Sequence, residues 1–167
     1  MTKIVVLCVV ALLASVGCVR DQSGLTSDGL GKPELSLAFP AEVEAGTTHV
    51  AQLDVTNPGP GDLSVLSVTF VLVGPGPNQN ELPRPLILGG ANDSTGEIVS
   101  VTPEPRSVSS DGLVYSFAGL DEGESTEISF EIRVPHIPGT FANSVQVHDG
   151  QDLDRLTGVR LDTVVEG

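Results

Sequence analysis

From residue 33 onward, apolar side chains recur at every second position in short runs. Leu35, Leu37 and Phe39 form one run; Ala51, Leu53 and Val55 form the next. Leu66, Val68, Phe70 and Leu72 share one face of a longer segment. The clearest case is residues 125–134. There Ile128, Phe130, Ile132 and Val134 face one way and Glu127, Ser129, Glu131 and Arg133 the other. Val145 and Val147 repeat the period, as do Val159, Leu161 and Val165, and a shorter run carries Tyr115 and Phe117. A period of two is the mark of a half-buried strand. Between the runs lie turn clusters: Asn57-Pro58-Gly59-Pro60-Gly61, Asp111-Gly112, Glu122-Gly123, Pro138-Gly139 and Asp149-Gly150. Proline lacks the backbone donor and glycine admits positive φ, so these clusters interrupt both helix and central strand. Residues 74–96 are long and rich in Pro, Gly and Asn, with room for one short strand at 86–88. The pattern predicts an all-β chain, a sandwich of about seven or eight strands.

One strand differs from the rest. Val65, Val71 and Val73 make the second face of the 63–73 segment apolar as well. Either the 74–96 loop covers that face, or the three valines form an exposed strip that docks a partner.

The first eighteen residues follow another rule. Lys3 precedes an unbroken apolar run over 4–14, and Ala14, Ser15 and Gly17 lead to Cys18. Positive start, apolar middle and small residues make the order of a secretory signal. Eleven helical residues span about 16 Å, half of a ~30 Å hydrocarbon core, too short for a permanent membrane span. Gly17-Cys18 resembles the end of a bacterial lipoprotein signal, although Ser15 stands where leucine is commoner. That resemblance implies two or three acyl chains on Cys18, enough for stable anchoring where one chain is marginal. The alternative is an ordinary signal peptide cut nearby, with Cys18 incidental. The expected division is a signal peptide over 1–17, a lipidated Cys18 with a flexible tether over 18–32, and the sandwich over 33–167. The tether reading rests on the Ser, Thr, Gly and Asp of 19–32, which would reach about 20–25 Å as a flexible chain. Cys8 lies within the leader, so the exported chain keeps no pair of cysteines and must be held by its core.

Charge narrows the partners. The chain has 8 Lys+Arg against 22 Asp+Glu, and losing Lys3 with the leader leaves a net of −15. So acidic a surface repels phosphate backbones and anionic headgroups, which excludes nucleic acid and leaves membrane contact to the anchor. With no Trp and one Tyr, the chain also lacks the usual platform for stacking sugars or bases.

Two segments resemble a known pattern. Leu53-Asp54-Val55-Thr56-Asn57-Pro58-Gly59-Pro60-Gly61-Asp62 leads into an alternating strand. Leu120-Asp121-Glu122-Gly123-Glu124-Ser125 precedes the strongest strand, and Pro138-Gly139-Thr140-Phe141-Ala142-Asn143-Ser144-Val145-Gln146-Val147 follows it. Together they are similar to the bacterial immunoglobulin-like surface domains called domain-of-unknown-function eleven and to the cell-adhesion-related bacterial domains. The resemblance implies an immunoglobulin-like sandwich at the cell surface and no particular activity.

Candidate chemistry is sparse. His49, His136 and His148 share no ligand-type spacing. Asp149, Asp152 and Asp154 could offer oxygen ligands to Ca2+, but too few alone, and no glutamate closes the loop. No Gly-x-Ser-x-Gly elbow or phosphate loop is present. The expectation is an exported protein anchored through Cys18 to the bacterial cell membrane or outer membrane, without enzyme activity or cofactor. Its role would be structural, adhesive or protein-binding, with an envelope protein or glycan as partner. The alternative is a Ca2+- or glycan-binding accessory module.

Overall fold

The computed structural model describes residues 19–23, 31–74, 83–90, 93–150 and 152–167. Eleven strands run through them: β1 (Val19–Ser23), β2 (Glu34–Pro40), β3 (Glu42–Glu44), β4 (Thr48–Thr56), β5 (Leu63–Val71) and β6 (Glu97–Thr102), followed by β7 (Ser107–Val108), β8 (Val114–Leu120), β9 (Ser125–Arg133), β10 (Gly139–Asp149) and β11 (Asp152–Glu166). One sheet has the order β1-β2-β4-β9-β6 and the other β3-β11-β10-β5-β8-β7. Taking β2, β4, β9 and β6 as A, B, E and D, and β11, β10 and β5 as G, F and C, gives the strand order of an immunoglobulin-like sandwich. The chain changes sheets after Pro40, so that β3 pairs in parallel with β11. Thr163 Oγ1 donates to Pro40 O (2.9 Å) and Val164 N–H to Ala41 O (2.8 Å) at that crossing. The hairpin edge β7–β8 follows β6 in the chain, a departure from the simple immunoglobulin order.

The alternating runs supply the two inner faces. Ala51, Leu53 and Val55 are fully buried on β4, and Ile128, Phe130 and Ile132 on the adjacent β9. Leu66, Val68 and Phe70 face them from β5, with Val145, Val147, Val159 and Leu161 beside. Phe130 bridges the layers: its ring meets Phe70 edge-on at 5.2 Å and Tyr115 at 5.4 Å. Edge-to-face pairing of this kind adds to the burial of each ring.

Four strands were not expected, β1, β3, β6 and β7; β3 alternates as Glu42-Val43-Glu44, but over three residues only. β6 holds a bulge between Ile98 and Ser100, which breaks its period. β1 falls inside the segment read as a tether. Its five residues pair antiparallel with β2, from Val19↔Pro40 to Ser23↔Ser36. An edge strand needs only the free backbone groups of its neighbour, so a polar sequence suffices and period-two reading misses it. Leu72 is a second correction. It lies beyond the end of β5 and is 62% exposed, instead of joining Leu66, Val68 and Phe70 in the core.

The strand ends define two poles. At one, β4 and β8 end and β5, β9 and β11 begin. At the other, β2 and β9 end and β4, β8 and β10 begin.

Candidate functional site

The Asn57 pole is built from turns braced on one another. Asn57 is fully buried. Its Nδ2 donates to Gly61 O and Leu120 O, both at 3.0 Å, and its Oδ1 accepts from Gly59 N–H at 3.1 Å. Its backbone receives Gly123 N–H (2.8 Å) and donates to Glu124 O (2.9 Å). Glu122 Oε2 takes Gly61 N–H, and Asp62 Oδ1 takes Glu122 N–H, each at 3.0 Å. The Pro-Gly turn and the 120–124 turn thus satisfy one another's backbone groups, which explains why a polar side chain tolerates full burial here.

Arg155 completes this pole. Its Nε donates to Gly31 O (2.9 Å), and its Nη1 to Asp62 O (2.8 Å) and Asp149 Oδ2 (3.2 Å). The Arg155 and Asp149 side chains are only 17% and 13% exposed. Asp149 Oδ1 accepts Val65 N–H at 3.0 Å. Both oxygens of the first calcium candidate are therefore engaged, one by a cation. Asp152 Oδ1 accepts from Asp154 N–H at 3.0 Å, and both residues are exposed. The three aspartates do not converge. Among the described residues, no group of three or more His, Cys, Asp or Glu could hold a metal ion.

The opposite pole is closed by an inserted segment. β5 stops at Val71, and residues 83–87 take its place beside β10. Arg84 N–H donates to Thr140 O (3.1 Å) and Ala142 N–H to Arg84 O (2.9 Å). Leu86 and Ile87 then enter the core. Buried Asn143 holds them: its Oδ1 accepts Ile87 N–H at 2.7 Å, and its Nδ2 donates to Ile87 O (2.9 Å) and Val71 O (3.2 Å). Gly96 donates to Leu86 O (2.6 Å), and a Cβ there would lie 2.8 Å from Arg133 O, so glycine is required by the close approach. An open cleft of about 200 Å³ beside this segment is lined by Ile87, Gly89, Glu97, Ile98, Asp111 and Tyr115. That is below the ~300–1,000 Å³ usual for small-molecule sites. Hydrogen bonds from Ser109 and from Leu113 N–H hold the Asp111 carboxyl below the usual aspartate range, and burial pushes the Tyr115 phenol up.

The valine strip is divided. Val65 and Val71 are half-buried on β5, but Ser67 and Thr69 lie between them on that face, and Thr69 Oγ1 meets His148 Nε2 at 3.2 Å. Val73 lies past the strand and is half-buried. The described part of the 74–96 loop joins β10 and the core end, as a plug and not as a lid drawn over the strip. The histidines are apart: His49 Nε2 meets Thr47 Oγ1 at 2.7 Å, His136 is exposed in the β9–β10 turn, and His148 lies on β10. Cys18 and the leader fall outside the described residues. Among the described residues, no helix is long and apolar enough to cross a membrane. The sequence reading missed Asn57, Asn143 and Arg155 as braces. A polar residue embedded in an apolar run, as Asn143 is between Phe141 and Val145, was the signal available.

No family model and no curated protein matches the chain. Solved structures similar to it include the ASH / PapD-like domain of human CEP192 (PapD-like domain 7), at 14% identity over 99% of this chain and 98% of that one, with a TM-score of 0.44. The human F-spondin reeler domain is similar at 9% identity over 86% and 95%, with a TM-score of 0.42. So is AvmM, which catalyses macrocyclization in alchivemycin A biosynthesis, at 12% over 86% and 96%, also at 0.42. Likenesses at these scores carry no argument about function, and the fold rests on the strand order.

Proposed function

We propose that this chain is a lipid-anchored protein of the bacterial cell envelope. Its immunoglobulin-like sandwich has a structural, adhesive or protein-binding role and no catalysis. The observation that carries the reading is the junction at Cys18. A positive residue, an apolar run and small residues lead up to that cysteine, and that is the order of a secretory signal. The outer face of β5, where Val65, Thr69 and Val71 are half-buried around a buried Ser67, is the surface this reading offers to an envelope partner.

The test is fractionation of cells producing the full chain and its Cys18→Ser variant. The unsubstituted chain is expected with the membranes, and the variant in the soluble fraction or retained as unprocessed precursor. A variant that is processed and still remains with the membranes would overturn the anchor.

A further inference from the structure

The edge of the first sheet fixes where an anchored chain leaves the domain. β1 runs antiparallel to β2 with Val19 opposite Pro40 and Ser23 opposite Ser36. Pro40 lies at the pole where β4 begins at Thr48 opposite Arg133, and where β10 begins at Gly139 opposite Val165. The crossing bond from Val164 N–H to Ala41 O joins both sheets there. Cys18 is the covalent neighbour of Val19, and consecutive Cα atoms are about 3.8 Å apart. Val19–Ser23, part of the segment expected to be a tether, are thus held in the sheet one peptide link from Cys18.

We infer that, when Cys18 carries its acyl chains, the sandwich stands with the Pro40 pole against the lipid headgroups and the Asn57 pole projecting away. This rests on the lipid-anchor reading. β4 has nine residues, and at ~3.3 Å each the poles are about 30 Å apart. Exposed leucines and carboxylates lie at both poles, Leu72, Glu42, Glu44, Asp111 and Glu166 at the one and Leu153, Asp62, Asp121, Glu122 and Glu124 at the other, so the direction is set by the β1 register and not by surface chemistry. The partner of the Pro40 pole is thus the bilayer surface itself. The pole free to meet other envelope components is the one braced by Asn57 and Arg155.

The test uses the full chain, processed in cells, purified and reconstituted into phosphatidylcholine vesicles that contain a headgroup nitroxide lipid as quencher. A thiol-reactive fluorophore is placed through His136→Cys at the Pro40 pole or Leu153→Cys at the Asn57 pole, both exposed positions. Quenching at 136 is expected to exceed that at 153 several-fold. Equal or reversed quenching overturns the orientation. A ten-residue Gly-Ser insertion between Cys18 and Val19 should bring the two values together; an unchanged ratio would overturn β1 as the cause. The protein without an added cysteine is the separate control on the anchor. Its Cys18 should take up no fluorophore, and labelling there would overturn the anchor and the orientation together.

Discussion

The two poles of this sandwich each bury one asparagine with three side-chain hydrogen bonds, yet they use it differently. Asn57 serves its own turn, bonding Gly59 and Gly61, and reaches across only to Leu120. Asn143 has no local partner; all its bonds go to Ile87 and Val71, at least 56 residues away. The first braces a turn that proline and glycine already favour. The second holds a distant segment whose Leu86 and Ile87 complete the core. The same side chain is therefore local reinforcement at one end and a long-range clamp at the other.

The largest effect is expected at the clamp. Asn143→Ala strands the buried N–H and C=O of Ile87, and should cost about 3–5 kcal/mol at ~1–3 kcal/mol for each unpaired group. Chemical denaturation would give the loss, and hydrogen exchange should show the Ile87 amide opening well before the rest of the core. If that amide stays as protected as Phe130, the clamp is not what seats the segment.

Asn57→Ala should cost somewhat less, about 2–4 kcal/mol on the same basis, because the released Gly61 carbonyl lies in an exposed turn and can rehydrate, although Leu120 O stays buried. The exchange change should be confined to Gly59 and the 120–124 turn. A loss equal to that of Asn143→Ala would remove the distinction between the poles.

Arg155→Met retains most of the apolar stem and removes the contacts to Gly31, Asp62 and Asp149. Leaving Asp149 half-buried without its cation should lower stability by about 1–3 kcal/mol. Asp149→Asn in the Arg155→Met background should then cost little more, since the pair acts as a unit. Additive losses would show that the two residues act independently.

The smallest expected effect concerns Asp111, at the clamped pole. Its folded pKa lies below the unfolded value, so its contribution is present above the ordinary aspartate range and fades as pH falls through the depressed folded value. The Asp111 carboxyl resonance should titrate with a midpoint below ~3.9. In Ser109→Ala, which loses the largest cause of the shift, the midpoint should rise.

The core was most legible where a central strand has one wet face, as β4 and β9 do. Residues such as Leu53 and Ile128 alternate with Asp54 and Glu127, and burial followed that alternation. The same criterion was blind to β1 and β7, edge strands whose pairing needs backbone groups but no apolar face. It also placed Leu72 inside, because alternation carries no information about where a strand ends; here β5 yields its place to Arg84. The braces were harder still. Asn57 was read as a turn residue, which it is, but its bond to Leu120 is a tertiary fact. Asp149 was read as a metal candidate because its charge was visible in sequence, while Arg155, its partner six residues on, was visible only as one more polar side chain.

The central claim, a domain anchored through Cys18, is tested most directly by mass spectrometry of the amino-terminal peptide of the processed protein. The account predicts a peptide beginning at Cys18 and carrying the mass of two or three acyl chains. A processed chain that begins elsewhere, or at a Cys18 with a free thiol, would contradict it.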